Sequence, residues 1–257
     1  MLYGATSRHY TCPVTSKKEL RTALVLTGGK GERLRPLTEN LPKPMVPIAG
    51  RPLLEYHLHW LRSNGIERAV LLVGYRQEVV REHFAVPRID GLTVECVGED
   101  YPLGRGGALR NGFEQAGIPD EVLVATNGDV VTDQPLEPPL QRHIDSSALA
   151  TITLTAMPSP YGIVDVDEAG WVTGFREKPM LPYWINAGIY ILSRAVMARF
   201  PREGDHESEL FPRLAEEGRL QAFSSDAFWR SVETPKDLRE AQDFISQHQL
   251  FAPLRRS

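Results

Sequence analysis

Short apolar runs alternate with segments of helical periodicity in the first half of the chain. Residues 23–26 form an apolar run that ends at a pair of glycines, which is typical of a strand buried on both faces. Leu54, Leu58 and Leu61 recur at helical spacing and predict a helix over 52–64. Further strands are predicted at 69–73, 92–97 and 121–125, and further helices at 77–84 and 106–116. This alternation indicates an α/β fold with a mostly parallel sheet.

The second half of the chain has a different pattern. Residues 150–156 alternate small and β-branched side chains, and 161–175 predicts two short strands around a turn at 167–170. Further strands are predicted at 187–192 and 227–232, and helices at 207–217 and 235–247. Because no repeat or linker interrupts the pattern, we expect one domain over residues 21–250, preceded by a flexible extension over residues 1–20.

Composition narrows the classes of function. The 29 basic and 33 acidic residues give a net charge of −4, which provides no bulk attraction for nucleic acid. The two cysteines, Cys12 and Cys96, are too few for a disulfide scaffold and form no zinc-binding pattern. The apolar runs are shorter than a membrane span, and the N-terminus lacks an apolar stretch of signal-peptide length. We therefore expect a cytoplasmic protein that binds neither nucleic acid nor a membrane.

The loop after the first predicted strand combines glycines with cations. Gly28, Gly29 and Gly31 would let backbone N–H groups approach an anion closely, although the loop matches neither the Walker A nor the dinucleotide-binding pattern. Glycines alone are more typical of a tight turn than of a phosphate-binding loop. The cations that follow, Arg33 and Lys43 among them, carry charge that a turn does not need and a triphosphate does.

A series of short motifs then follows along the chain, namely residues 28–34, 36–38, 42–44, 102–104, 107–109, 127–129, 161–162, 177–179 and 186–190. In this order they resemble the catalytic domain of the sugar-1-phosphate nucleotidylyltransferases, such as the mannose-1-phosphate guanylyltransferases and glucose-1-phosphate thymidylyltransferases. The resemblance implies a Rossmann-like three-layer α/β/α domain with a mixed, mostly parallel central sheet. It also implies transfer of a nucleotidyl group from an NTP to a sugar 1-phosphate, with release of pyrophosphate.

The resemblance assigns roles to individual residues. Arg33 would hold the β- and γ-phosphates, Lys43 the α-phosphate, and Asp129 would bind Mg²⁺ beyond the end of a parallel strand. The remaining nucleotide-binding residues would be Leu26, Gly28, Gly29, Gly31, Glu99 and Gly104, and the sugar-phosphate-binding residues Gly162, Glu177, Lys178 and Asn186. Without the resemblance, the lysines are also typical of solvated loops and Asp129 of a turn. The implied reaction is an in-line attack that needs no general base.

The C-terminal metal motif departs from the family pattern Trp-x-Asp-Ile-Gly-Thr-Pro. Here residues 229–235 read WRSVETP, so that Ser231 stands at the usual Asp position and Glu233 follows two residues later. Because residues i and i+2 share a face of a strand, we expect Glu233 to be the second Mg²⁺ ligand beside Asp129. The alternatives are that Ser231 serves this position, or that Glu233 only precedes the helix that Pro235 begins.

Glu99 bears on the choice of nucleotide. It lies near the position where the family reads the base, and a carboxylate can accept from both N1–H and N2–H of guanine. We therefore expect GTP, with mannose 1-phosphate or heptose 1-phosphate as acceptor. The alternatives are that Glu99 is an exposed loop acid and that dTTP, UTP or CTP reacts with glucose 1-phosphate. A non-catalytic regulatory or binding homologue is a third alternative, and a homo-oligomer stays open.

Overall fold

The computed structural model describes residues 20–86, 88–89 and 91–248. Its strands are β1 (Thr22–Leu26), β2 (Pro47–Ile48), β3 (Arg51–Pro52), β4 (Arg68–Val73), β5 (Arg88–Ile89), β6 (Leu92–Gly98), β7 (Val122–Asn127), β8 (Val130–Thr132), β9 (Ala150–Pro158), β10 (Ile163–Val166), β11 (Val172–Arg176), β12 (Met180–Ser193), β13 (Leu220–Ser225) and β14 (Trp229–Ser231). Its α-helices are α1 (Leu53–Ser63), α2 (Gln77–His83), α3 (Gly104–Gln115), α4 (Glu137–Ser146), α5 (Arg194–Met197), α6 (His206–Glu209), α7 (Phe211–Glu216) and α8 (Pro235–His248).

A central sheet of eight strands has the order β13-β9-β12-β7-β1-β4-β6-β5. β1 is parallel to β4 and β7, β4 is parallel to β6, and β13 is parallel to β9. β12 is antiparallel to both β7 and β9, and β5 is antiparallel to β6. The sheet is therefore mixed and mostly parallel, as the sequence predicted.

Helices cover both faces of this sheet. Along β1, Ala23 and Val25 pack into a core that includes Leu54 of α1, whereas Leu24 packs into a second core that includes Leu109 of α3. This alternation places every second strand residue on the opposite face, so both faces are apolar and covered. The predicted three-layer α/β/α arrangement is confirmed.

A third apolar core packs α8, the last helix described, against segments from earlier in the chain. Phe244 of α8 packs with Leu34 from the loop after β1 and with Val232, which follows β14. Because α8 holds these two segments together, residues near 33 and residues near 233 are brought side by side. This packing positions one end of the candidate active site.

The sequence analysis missed seven elements, namely β2, β3, β5, β8, β13, α4 and α5. α4 carries Pro138 and Pro139 in its first turn, where the missing N–H groups have no acceptor within the helix in any case. In the sequence these prolines argue against a helix, but at its first turn they do not interrupt it. The single helix predicted over 207–217 is wrong, because α6 and α7 are separate helices and Pro212 cannot donate a hydrogen bond back to the preceding turn.

Most of the predicted extension, residues 1–19, lies outside the described residues, as do residues 249–257. Leu20, which the sequence analysis assigned to the extension, is buried in the core. Within the described ranges, no helix is both long and apolar enough to cross a membrane.

His206 is buried among aromatic rings. Its ring packs edge-on against Tyr190 and Phe211, with ring centroids 5.4 and 4.9 Å apart. Within the described part of the chain, neither ring nitrogen of His206 has a hydrogen-bond partner. Burial lowers the pKa of His206 from 6.5 to about 4, because the charged ring would lose its hydration.

We expect His206→Phe to flatten the acid destabilisation of the protein. Because the folded pKa of His206 lies below its unfolded value, its stabilising contribution is complete above pH 6.5 and is lost as the pH falls towards 4. The amount lost between pH 6.5 and pH 4 is about 3 kcal/mol. Urea denaturation across this pH window measures the free energy of unfolding of both proteins. Equal slopes of the free energy of unfolding against pH for the two proteins would contradict the prediction. Part of the slope should stay in the variant, because burial also lowers the pKa of His57 to about 4.

Candidate active site

The glycine loop after β1 is fastened at both ends by hydrogen bonds. Thr27 donates to Leu72 O from its backbone N at 3.0 Å and from Oγ1 at 2.8 Å, which fixes the end of β1 against β4. Lys43 N donates to Gly29 O at 3.1 Å. Gly31 has a φ of 65°, and a Cβ there would lie only 2.9 Å from the Cβ of Lys43. Only glycine therefore lets the Lys43 chain pass so close to the loop.

Two cations and two carboxylates converge beside this loop. Lys43 Nζ lies 2.6 Å from Asp129 Oδ2 and 2.5 Å from Glu233 Oε1. Arg33 Nη2 lies 2.5 Å from Glu233 Oε2. The side chain of Lys43 is only 6% exposed, whereas that of Arg33 is 70% exposed. Lys43 is therefore a buried ion-pair partner and not a solvated loop lysine.

Asp129 is positioned by the turn that joins β7 to β8. Gly128 N donates to Leu26 O at 2.9 Å, which holds this turn against the end of β1. Val232 N donates to Asp129 O at 3.0 Å. The carboxylate thus lies beyond the carboxyl end of a central parallel strand, where ligands bind in open α/β sheets.

Glu233 is positioned by the start of α8. Its backbone N donates to Asp237 Oδ2 at 3.2 Å, and Thr234 N donates to the same oxygen at 2.8 Å. Asp237 N donates in return to Thr234 Oγ1 at 3.3 Å, which completes a capping box. The predicted helix start is confirmed, and the cap leaves the Glu233 side chain directed at Lys43 and Arg33. Ser231 Oγ makes only a long hydrogen bond, 3.4 Å, to Glu233 Oε1.

The donor set of this cluster fits a hard divalent cation. Asp129 Oδ1 is buried and has no hydrogen-bond partner within the part of the chain that the structure describes. Across the same residues no group of three or more His, Cys, Asp or Glu could hold a metal ion by itself. Mg²⁺ needs only one or two protein carboxylates, since phosphate oxygens and water complete its shell. Asp129 and Glu233 match that requirement.

A cavity of about 590 Å³ opens from this cluster, a volume typical of a small-ligand site. The predicted catalytic, metal-binding and nucleotide-binding residues all line it, namely Leu26, Gly28, Gly29, Gly31, Arg33, Lys43, Glu99, Gly104, Asp129 and Glu233. Residues far apart in sequence thus form one site.

Glu99 lies on the cavity wall and is half-buried, in contrast to the exposed loop acid that the sequence left open. Its Oε2 accepts from Leu103 N at 3.0 Å. Its Oε1 lies beside Gly74, where a Cβ would come within 2.8 Å of it. The carboxylate is therefore held in place with one oxygen engaged by the backbone.

The residues predicted to bind the sugar phosphate do not line this cavity. Gly162 and Glu177 lie together at the base of the β10–β11 hairpin, where a Cβ on Gly162 would lie 3.2 Å from Glu177 Oε2. Lys178 Nζ lies 3.5 Å from Glu177 Oε1, and both side chains are more than half exposed. Their roles stay predictions, as does that of Asn186.

Arg105 lines the cavity, and the sequence analysis did not single it out. Its guanidinium forms ion pairs with Asp205 and, at 2.7 Å, with Glu207 Oε2. Glu207 Oε1 accepts from Tyr190 OH at 2.8 Å and from Asn186 Nδ2 at 2.9 Å. Asn186 is therefore joined to the cavity wall through this network. The one signal in the sequence is a charged residue among the small residues at positions 104–108.

Residues 22–248 match the family described as Nucleotidyl transferase. The chain belongs to this family. It is 37% identical over 232 residues to mannose-1-phosphate guanylyltransferase of Mycobacterium tuberculosis, a match that covers 87% of this chain and 64% of the relative. It is 36% identical over 222 residues to mannose-1-phosphate guanylyltransferase catalytic subunit beta of Danio rerio, covering 84% of this chain and 62% of the relative. The chain thus spans about three-fifths of the length of these curated relatives.

The chain also shares its fold with solved structures. HddC from Yersinia pseudotuberculosis superposes with a TM-score of 0.72 at 26% identity, covering 88% of this chain and 100% of that chain. The predicted membership of the sugar-1-phosphate nucleotidylyltransferases and the Rossmann-like fold class are confirmed.

Proposed function

We propose that this chain transfers a guanylyl group from GTP to mannose 1-phosphate or a related aldose 1-phosphate, and releases pyrophosphate. The observation that carries the proposal is the cluster of Arg33, Lys43, Asp129 and Glu233 at one end of a nucleotide-sized cavity. The curated relatives named above support guanylyl transfer, because both carry mannose-1-phosphate guanylyltransferase in their names.

The charges of the cluster suit a triphosphate with a divalent cation. The charges of the two cations and the two carboxylates cancel, so the cluster alone has no net charge to attract a polyanion. Asp129 and Glu233 would hold Mg²⁺. When bound, Mg²⁺ would neutralise phosphate oxygens as a Lewis acid. The cluster would then have a net positive charge that matches the substrate.

The chain's own residues would align two anions that repel each other. Lys43, buried and held by two carboxylates, would present its ammonium to the α-phosphate, where negative charge develops. Arg33 would hold the β- and γ-phosphates as they leave. An oxygen of the acceptor phosphate attacks the α-phosphorus in line, and the bond to the β-phosphate oxygen breaks. Because the attacking oxygen is already anionic, no side chain has to remove a proton.

The acceptor would contact the base of the hairpin. Glu177 would accept hydrogen bonds from sugar hydroxyls, and Lys178 would pair with the phosphate of the sugar. Both side chains are more than half exposed, and Glu177 Oε2 lies beside Gly162. We propose that Asn186, through Glu207 and Arg105, connects this region with the nucleotide cavity.

Glu99→Gln tests the choice of base. We expect kcat/KM with GTP to fall by about tenfold to a hundredfold, which corresponds to ~1–3 kcal/mol, because one acceptor for the guanine N–H groups becomes a donor. UTP and dTTP should lose little. Pyrophosphate release from a panel of NTPs with mannose 1-phosphate and glucose 1-phosphate measures both proteins.

Glu95→Gln is the matched control for this experiment. Glu95 lies on β6, the strand that ends just before Glu99, and outside the cavity. It accepts from Arg68 Nε at 2.6 Å, which a glutamine oxygen can also do. We expect no change in base preference. A wild-type preference for a pyrimidine NTP would contradict the proposal of GTP. No pyrophosphate release from any pair would favour a non-catalytic homologue.

A further inference from the structure

The four tryptophans of the chain differ in how their indole groups are engaged. Trp60 and Trp229 donate from Nε1 to backbone oxygens, at 2.7 Å in each case. Trp171 and Trp184 have no such acceptor among the described residues, and they are 74% and 50% exposed. Trp171 lies in the turn of the β10–β11 hairpin, whereas Trp184 lies within β12. The indole of Trp184 thus offers both an apolar face and a free N–H to a ligand.

β12 carries Trp184 past the edge of the sheet at which the candidate active site lies. Ile189 pairs with Thr126, one residue before β7 ends at Asn127. Because β12 is antiparallel to β7, its residues before Ile189 extend beyond the carboxyl end of β7, where ligands bind in such sheets. A Cβ on Gly188 would lie 2.3 Å from Nδ2 of Asn127, which lines the cavity. Trp184 therefore lies on a segment that continues outwards from the cavity wall.

Trp184 projects from the same face of β12 as Asn186. The register between β12 and β9 is regular from residue 184 to residue 186, and alternate residues of a strand project to the same side. Asn186 Nδ2 donates to Glu207 Oε1, and Glu207 pairs with Arg105, which lines the cavity. The indole of Trp184 is therefore on the side of the sheet that carries the nucleotide cavity.

The side chain of Asn186 is largely engaged within the protein. Its Nδ2 donates to Tyr190 OH and to Glu207 Oε1, at 2.9 Å in each case, and its Oδ1 accepts from Gly188 N at 2.9 Å. A side-chain amide has two N–H donors and two acceptor lone pairs, so Asn186 keeps one lone pair for a ligand. Of the two residues, Trp184 therefore has far more surface free for contact with a ligand.

The outer end of β12 lies beside a residue predicted to bind the acceptor. Met180 pairs with Pro158 of β9, and Lys178 comes two residues before Met180. Lys178 is predicted to pair with the phosphate of the sugar, and Asn186 to contact the sugar itself. Trp184 lies on the strand between these two positions. It is therefore placed where the ring of an acceptor held by both ends would lie.

We propose that Trp184 is a specificity-determining residue that binds the sugar ring of the acceptor, an inference that rests on the proposed function. The indole packs against C–H groups on one face of the pyranose ring, and Nε1 donates to a sugar hydroxyl. A lysine recognises the charge of a phosphate, which all phosphate monoesters share. The flat indole adds recognition of the ring, so that a pyranose 1-phosphate is bound in preference to a phosphate without a ring.

Trp184→Ala tests the proposal by steady-state kinetics, with the pair of NTP and sugar phosphate that the wild type uses best. We expect KM for the sugar phosphate to rise about tenfold and kcat to change little, because the ring is held equally in the ground state and the transition state. Trp184→Phe should restore most of the affinity, since it keeps an aromatic face. Trp171→Ala is the matched control and should leave both constants unchanged. An unchanged KM in Trp184→Ala would overturn the proposal.

Tryptophan fluorescence gives a second measurement that does not depend on turnover. We expect mannose 1-phosphate to shift the emission of Trp171→Phe as it does that of the wild type, and Trp184→Phe to lose most of the shift. Inorganic phosphate, which has no ring, should leave the emission unchanged. A shift of full size in Trp184→Phe, or an equal shift with inorganic phosphate, would overturn the proposal. A wild type that shows the expected shift but releases no pyrophosphate from any pair would instead contradict the proposed function.

Discussion

Asp129→Asn is expected to reduce nucleotidyl transfer by about 1,000-fold, which corresponds to ~4 kcal/mol in the barrier. The substitution keeps the shape of the side chain and removes its charge. Lys43 then loses the partner at 2.6 Å that helps to hold its ammonium, and the buried oxygen without a partner is no longer part of a carboxylate. Pyrophosphate release under saturating substrates measures the loss. Electron paramagnetic resonance of bound Mn²⁺ measures cation affinity independently, and we expect it to weaken.

Asp133→Asn is the matched control for this substitution. Asp133 lies just after β8, a few residues from Asp129, and its Oδ1 accepts from Phe228 N at 2.9 Å. An asparagine oxygen can make the same hydrogen bond, so turnover and cation binding should both stay near the wild-type level. Near-normal turnover of the Asp129 variant would sink the proposed cation site.

Glu233→Gln is expected to cut turnover by about 100-fold, or ~2.7 kcal/mol, and to raise the Mg²⁺ concentration needed for half-activity. Glu233 is the one side chain that pairs with both Lys43 and Arg33 in the described structure, at 2.5 Å in each case. Removing its charge loosens both cations at once and leaves Asp129 as the only carboxylate for the cation. A Mg²⁺ titration of turnover measures both effects.

Ser231→Ala should cost far less, because the Ser231 hydroxyl makes only a long hydrogen bond to Glu233. The competing account is that Glu233 merely favours the start of α8, where an acidic residue contributes under ~1 kcal/mol. On that account Glu233→Gln would lower thermal stability slightly and leave the Mg²⁺ titration unchanged. Such a result would show that Glu233 is not the second Mg²⁺ ligand beside Asp129.

Local patterns predicted most of the alternating elements, because each depends on neighbours in the sequence. The apolar run before Gly28 identified β1, and the helical spacing of Leu54, Leu58 and Leu61 identified α1. Where the local signal was ambiguous, the prediction failed. The two prolines of α4 concealed a helix, and Pro212 divided what the periodicity presented as one helix.

Local motifs likewise predicted only part of the candidate active site. The motifs identified Lys43, Asp129 and Glu233 one by one, but each was compatible with a solvated loop, a turn or a helix start. Strand order and the packing of α8 bring these three residues together, and Lys43 is buried there in ion pairs with both carboxylates. The role of Arg105 depends on Asp205 and Glu207, which lie about a hundred residues away along the chain. The local pattern offered only a charged residue among the small residues at 104–108 and did not show these partners.

The sequence by itself determined the alternation of strands and helices, the glycine loop and the identity of the charged residues in the family motifs. These features depend on covalent order, backbone sterics and hydrophobic periodicity, which act over a few residues. Only the tertiary structure decided that Lys43 is buried between two carboxylates and that Glu99 lies on the cavity wall. Burial and ion pairing arise where segments that are distant in sequence come into contact. A local sequence pattern does not show those contacts, because they form only when the sheet and its helical layers pack together.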